Sequence, residues 1–114
     1  MVDVRNTWVE INTAALAHNV RRVRDYAPNA RVLAMVKADA YGHGAAACLA
    51  GVQDADALGV ACMAEAVALR AAGWQKPIVL IEGVFSQAEW RVALAQNLTC
   101  VVHHETQLDR KSVV

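Results

Sequence analysis

Lys37 closes the apolar run Leu33-Ala34-Met35-Val36 and opens the stretch Lys37-Ala38-Asp39-Ala40-Tyr41-Gly42-His43-Gly44. A primary amine at the edge of an apolar strand loses hydration. That loss disfavours the charged form and leaves a nucleophile able to condense with an aldehyde as a Schiff base. Burying the charge with no such use would be costly. The ordinary alternative is a strand-end lysine that snorkels to solvent. Tyr41 is expected in the loop after the strand, where a phenol can donate a hydrogen bond to a phosphate while its ring packs beside the site. A tyrosine simply packed on a rim is its other reading. Gly42 and Gly44 permit positive φ or close backbone approach ahead of a helix whose first amides could meet an anion, and plain turn glycines serve equally well. His43, between two glycines, reads as a turn or capping residue, and Asp39 as a local cap without chemistry.

The elements that must position these residues follow a regular pitch. Four β-rich runs, Val32 to Val36, Ala57 to Ala61, Ile78 to Ile81 and Thr99 to Val102, have centres at Leu33, Leu58, Val79 and Val101, which are 25, 21 and 22 residues apart. Helical spacing fills the intervals. Thr13 to Ala27 sets Leu16, Val20, Val23 and Ala27 on one stripe, capped by Asn12 or Thr13 and ended by Pro28. Gly44 to Ala50 is small and apolar. Ala64 to Ala72 has Glu65 in its first turn, Arg70 near its end and Gly73 as its stop. Ser86 to Gln96 takes Ser86 as N-cap. The runs are continuously apolar, as in strands covered on both faces, and strand-helix alternation at this pitch means parallel βα units of an α/β fold.

Composition narrows the function. The chain has 114 residues, 56% hydrophobic and 19% charged, with eleven basic and eleven acidic side chains. That is one domain's length with a sizeable core and no net charge to draw it to nucleic acid or anionic lipid, so small molecules or protein are the expected partners. An acid at Asp3 and the lack of a long apolar stretch argue against a signal peptide or membrane helix, giving a cytoplasmic expectation. Cys48, Cys62 and Cys100 lack metal or redox spacing and are expected to be buried thiols. Trp8, Trp74 and Trp90 read as core or rim fillers. Arg21, Arg22 and Arg24 read as a solvated face. His103 and His104, adjacent in extended chain, point apart and make no metal site.

The block Ala34 to Gly44 resembles the pyridoxal-phosphate lysine motif of bacterial alanine racemases. Weaker similarity runs through Trp8-Val9-Glu10-Ile11, Leu16, His18-Asn19, Leu58-Gly59-Val60-Ala61, Glu65-Ala66, Leu69-Arg70, Pro77-Ile78-Val79-Leu80 and Val101-Val102-His103, and ends at about Arg110. Asn12 stands where many relatives have aspartate, which keeps the cap. The resemblance implies that Lys37 carries pyridoxal 5′-phosphate and then moves a proton at the substrate α-carbon. It places Tyr41 on the phosphate side, makes Trp8 to Ile11 an opening strand, and has His18 and Asn19 tie the first helix to neighbouring strands. No metal is implied. The fold it implies is a partial (β/α)8 TIM-type barrel, about the first four βα units over residues 1–114, with the C-terminal β domain missing.

The implied activity is interconversion of L- and D-alanine for cell-wall synthesis or alanine catabolism, in a homodimeric parent. On the family pattern an arginine beside the pyridine nitrogen, further phosphate ligands and a partner tyrosine base lie beyond this stretch. The chain, ending Asp109-Arg110-Lys111-Ser112-Val113-Val114, is therefore expected to be truncated and inactive alone. Two alternatives stay open: a serine or broad-specificity racemase of the same fold, and a non-catalytic cofactor-binding module or folding fragment that associates through an open strand edge.

Overall fold

The computed structural model describes residues 6–107. Four strands, β1 (Leu33–Met35), β2 (Ala57–Val60), β3 (Ile78–Leu80) and β4 (Thr99–Cys100), form one parallel sheet in chain order. Each is shorter than its apolar run. The register pairs Ala34 with Leu58, Leu58 with Ile78, and Leu80 with Cys100. Sequential parallel order is the order of a barrel arc, and it leaves one edge of β1 and one of β4 unpaired among the described strands.

Because side chains alternate along a strand, this register puts Ala34, Val36, Leu58, Val60, Ile78 and Leu80 on one face. Of these, Leu58, Ile78 and Leu80 are fully buried, and Val60 and Val36 nearly so. Each such side chain contributes roughly 1.5–3 kcal/mol by leaving water. The other face carries Leu33 and Met35, which are 43% and 44% exposed. The expectation of cover on both faces is thus corrected for β1: the helices pack behind the buried face, and the opposite face is left open.

α1 (Thr13–Tyr26) starts at Asn12, whose side chain accepts from the Ala15 amide at 2.9 Å, and packs on the 3-10 turn Leu49–Val52. Of its expected stripe Val20 is buried and Leu16 half-buried, while Val23 is exposed. After β1 come a single turn, α2 (Lys37–Tyr41), and α3 (Ala45–Cys48). α4 (Met63–Ala71) follows β2, and α5 (Gln87–Ala95) follows β3 with Ser86 capping the Glu89 amide at 3.1 Å. Trp74 and Trp90 join the core, but Trp8 is 74% exposed and residues 8–11 form no strand. The expected opening strand finds no partner among the described residues.

The loops that feed the strands expose backbone carbonyls, and cations close them. Arg70 of α4 donates to the carbonyls of Trp74 (2.8 Å), Lys76 (2.7 Å), Gln96 (3.0 Å) and Asn97 (3.2 Å), joining the approaches to β3 and β4. Burial lowers its pKa from the usual guanidinium value, yet arginine stays charged at any working pH. Lys76 donates to Gln53 and Ala55 ahead of β2. Arg24 reaches the Asp54 carbonyl and, at 3.1 Å, the Asp56 carboxylate, so it is a seam residue and not part of a solvated face. Asp56 also accepts from the Val32 amide at 2.7 Å.

Two outcomes are expected. Arg70→Ala should lower stability by roughly 2 kcal/mol in urea unfolding, with Arg70→Lys recovering only part, since a lysine cannot span four carbonyls; a midpoint unchanged in Arg70→Ala would contradict this. The Val32 amide, then the Arg24 guanidinium, holds the Asp56 carboxyl below its ordinary value of 3.8. A depressed folded pKa gives stability that is present above the unfolded value and lost as pH falls below it. Asp56→Asn should therefore flatten the acid limb of the stability profile below about pH 4.

Candidate active site

Lys37 sits just beyond the C-terminal end of β1, half-buried, where the sequence places it. The Val36 amide donates to the Gly59 carbonyl at 2.9 Å, which holds this strand end against β2. The hand of the next turn is unexpected. Ala38, Asp39 and Ala40 take φ of 55–56° with ψ of 41–44°, and Tyr41 takes φ 53°, so α2 is a left-handed turn after Lys37. Each L-residue held this way costs roughly 1–2 kcal/mol, and none of the four is a glycine.

Hydrogen bonds offset that cost. Ala40 N donates to Val36 O (2.9 Å), Gly42 N to Ala38 O (3.1 Å) and Gly44 N to Asp39 O (2.9 Å). Gly42 and Gly44 continue at φ 86° and 90°, a conformation glycine adopts freely, so their role is that of turn residues. Two carboxylates anchor the turn to its surroundings. Asp39 Oδ1 accepts from the Ala45 amide at 2.8 Å, and Glu65 Oε1 accepts from the Ala38 amide at 3.2 Å. The second oxygen of Glu65 accepts from the Ala61 amide at 3.1 Å, at the end of β2.

Tyr41 belongs to the turn itself and is 73% exposed, so its phenol is free to meet a ligand. The helix after Gly44 is only four residues long, and the carboxylate of Asp39 already occupies its first amide. Of the amides expected to be open to an anion, that of Ala45 is therefore taken by an acceptor of the chain's own. His43 Nδ1 contacts the Ala40 carbonyl at 2.8 Å, a structural role as expected. His18 and Asn19 are both exposed on α1, and among the described residues their side chains make no hydrogen bond to a strand. His103 contacts the Ile81 carbonyl and His104 the Thr106 hydroxyl, and among the described residues no cluster of three ligands could hold a metal.

Only Cys48 is buried. Cys62 is exposed and Cys100 half-buried, which corrects the reading of all three as core thiols. Burial, then the charge of Glu89, pushes the Cys100 thiol up from its usual value. An apolar cavity of about 270 Å³ lies on the helix side of the sheet between Val36, Ala45, Val60, Ala64 and Leu69, and the carboxylates of Asp39 and Glu65 border it. Lys37 is not in its lining, so the cavity stands behind the site.

Two residues with structural weight are not marked as site components by the sequence. Glu65 is one, and its signals are an acid at the third position of a helix and a place in the weaker family similarity, neither of which points to the site. Gln107 is the other. Its Oε1 accepts from His103 N (2.6 Å) and His104 N (3.1 Å), and its Nε2 donates to Val84 O (3.2 Å), which joins the segments after β4 and β3.

Comparison with known proteins agrees with this geometry. Residues 11–113 match the family model described as "Alanine racemase, N-terminal domain". An alanine racemase of Psychrobacter sp. is 48% identical over 106 residues, covering 92% of this chain and 28% of its own length. One from Pectobacterium carotovorum is 49% identical over 98 residues, 86% of this chain and 27% of its own. The solved alanine racemase of Acinetobacter baumannii superposes with TM-score 0.85 at 46% identity, over 88% of this chain and 28% of that one. A histidine racemase of Leuconostoc mesenteroides shares the fold alone, at TM-score 0.79 and 23% identity. The chain thus spans a little over a quarter of the length of the relatives it matches, and its four parallel strands with their helices form an arc of their barrel.

Asp39→Ala should cost roughly 1 kcal/mol by releasing the Ala45 amide, while Asp39→Asn, which keeps an acceptor oxygen, should cost little. Amide exchange at Ala45 reads the difference, and equal protection in the two variants would contradict it.

Proposed function

Because the chain belongs to the alanine racemase N-terminal domain family, we propose that it supplies the cofactor-lysine part of a racemase that interconverts L- and D-alanine. Lys37 carries pyridoxal 5′-phosphate through its side-chain amine, and Tyr41 stands on the phosphate side. The observation that carries the reading is the placement of Lys37: a half-buried lysine at a strand's C-terminal end, followed by a turn that four residues later offers an exposed tyrosine. In a barrel of parallel strands that end is where chemistry is built.

The donor set fits the cofactor in part. An amine is available for an aldehyde and a phenol for a phosphate oxygen. The Ala45 amide does not add to this set, since Asp39 fills it. Bound there, the cofactor supplies an electron sink that lets a substrate α-hydrogen leave as a proton. Lys37 Nζ would hold the cofactor and, when free, would hold and return a proton on one face of the α-carbon. Tyr41 Oη orients the phosphate end.

Racemisation needs a second proton carrier on the opposite face. By the family pattern that group belongs to a partner subunit in a homodimer, so the 114-residue stretch alone is proposed to attach cofactor without turning over substrate. The whole protein is proposed to work in the cytoplasm, supplying D-alanine for peptidoglycan. No helix among the described residues is long and apolar enough to cross a membrane. Alanine is preferred over serine or a wider substrate range because of the close sequence relatives; the fold by itself does not choose, since a histidine racemase shares it.

Pyridoxal 5′-phosphate added to the protein should produce a visible absorbance band that Lys37→Ala abolishes. Borohydride reduction followed by peptide mapping should find the label on Lys37. A label on another lysine, or an undiminished band in Lys37→Ala, would overturn the assignment.

A further inference from the structure

We infer that Glu65 is a positioning residue for the cofactor lysine, a clamp whose two carboxylate oxygens hold the ends of β1 and β2 in one register. The inference deepens the assignment of Lys37 and rests on it. Oε1 takes the amide of Ala38, the residue directly after Lys37 and the first of the left-handed turn, and Oε2 takes the amide of Ala61. Ala38 and Glu65 are 27 residues apart in sequence, so the bond to Ala38 is a tertiary one.

A comparison within the molecule separates this role from ordinary helix capping. Glu89 occupies the same position in α5 that Glu65 occupies in α4: the third residue of the helix, reaching back to the amide two residues before the helix begins. Glu89 Oε1 accepts from Phe85 N at 2.7 Å, as Glu65 Oε2 accepts from Ala61 N. In α5 the remaining capping comes from Ser86, but α4 begins after Cys62, whose side chain makes no cap bond. The α4 carboxylate therefore does what its counterpart does and adds a bond to the neighbouring unit. That added bond lands on the peptide that fixes where the lysine points. A strained turn adopts one conformation only when its surroundings over-determine it, and Glu65 supplies a tether from outside the β1–α3 segment. Without it the lysine amine would sample several directions, and attachment of the cofactor would have to select among them.

The test uses the full-length protein with Glu65→Gln and, as the control for loss of charge at the same helix position, Glu89→Gln. The amide nitrogen of glutamine cannot accept from a backbone N–H, so Glu65→Gln leaves one oxygen for two amides, whereas Glu89→Gln keeps the single oxygen that its bond to Phe85 needs and controls for the lost charge at a helix start. The expected result is that Glu65→Gln weakens attachment of pyridoxal 5′-phosphate at Lys37 roughly tenfold, read from the absorbance band, while Glu89→Gln leaves it within about twofold at a similar thermal midpoint. Amide exchange at Ala38 should also be faster in Glu65→Gln before any cofactor is added. Glu65→Asp is still charged but one methylene shorter; it should lose the Ala38 bond and show the same weakening even if the glutamine variant folds poorly. Equal attachment in the two glutamine variants would overturn the clamp, as would an Ala38 amide that exchanges as fast in the wild type as in Glu65→Gln; neither result touches the assignment of Lys37. A wild-type protein that takes no cofactor at Lys37 would overturn that assignment and the positioning role with it.

Discussion

The left-handed turn from Ala38 to Tyr41 is the constraint around which the C-terminal end of this sheet is organised. Four consecutive L-residues in that region carry a strain of several kcal/mol, a large fraction of what a domain of this size has to spare. The turn exists because its own hydrogen bonds close it and because two carboxylates, one inside it and one on α4, receive amides that would otherwise be unpaired. The result is a sharp reversal directly after Lys37. The chain leaves β1, places the lysine, and returns to the helix layer within a few residues, with the phenol of Tyr41 carried on the same reversal. Strain concentrated beside a reactive group is a common property of sites that are pre-organised for chemistry.

Polar side chains divide between the two ends of the sheet according to what the backbone leaves unsatisfied. Where helices end and strands begin, carbonyls are free, and cations answer them: Arg70, Lys76 and Arg24 each serve the loops that feed the strands. Where strands end and helices begin, amides are free, and acceptors answer them: Asp39, Glu65, Glu89 and the carbonyl oxygen of Gln107. The helix dipoles favour the same partition, with negative charge at helix starts. Stability is thus held at one end and geometry set at the other. The exposed face of Leu33 and Met35 is the inside of the arc, and an arc of a barrel has no second layer of its own to cover it.

Much of this was legible in the sequence. The four apolar runs became four parallel strands in order because their pitch left room for one helix each, and Asn12 and Ser86 capped as their chemistry suggests. Lys37 fell at a strand end because the run before it is apolar and the residue itself is not. What was not legible depended on partners distant in sequence. Ala38 and Ala40 are good formers of right-handed helix, and nothing local marks them for the opposite hand; the tether from Glu65 comes from 27 residues away. Trp8 to Ile11 is a strand only if another strand receives it, and none of the described residues does. Of three clustered arginines only Arg24 meets the seam, which depends on how α1 is rotated against its neighbours and not on its composition. Cys62 looked like a core thiol because of its apolar neighbours, but it lies past the end of β2 at a helix start, where the chain is exposed.

The central claim, that a left-handed turn presents the Lys37 amine to an aldehyde cofactor, is tested most directly by a crystal structure of the protein grown with pyridoxal 5′-phosphate. The account expects positive φ at residues 38–41 and electron density continuous from Lys37 Nζ to the cofactor's aldehyde carbon. A right-handed or extended path after Lys37, or a cofactor bonded to any other residue, would contradict it.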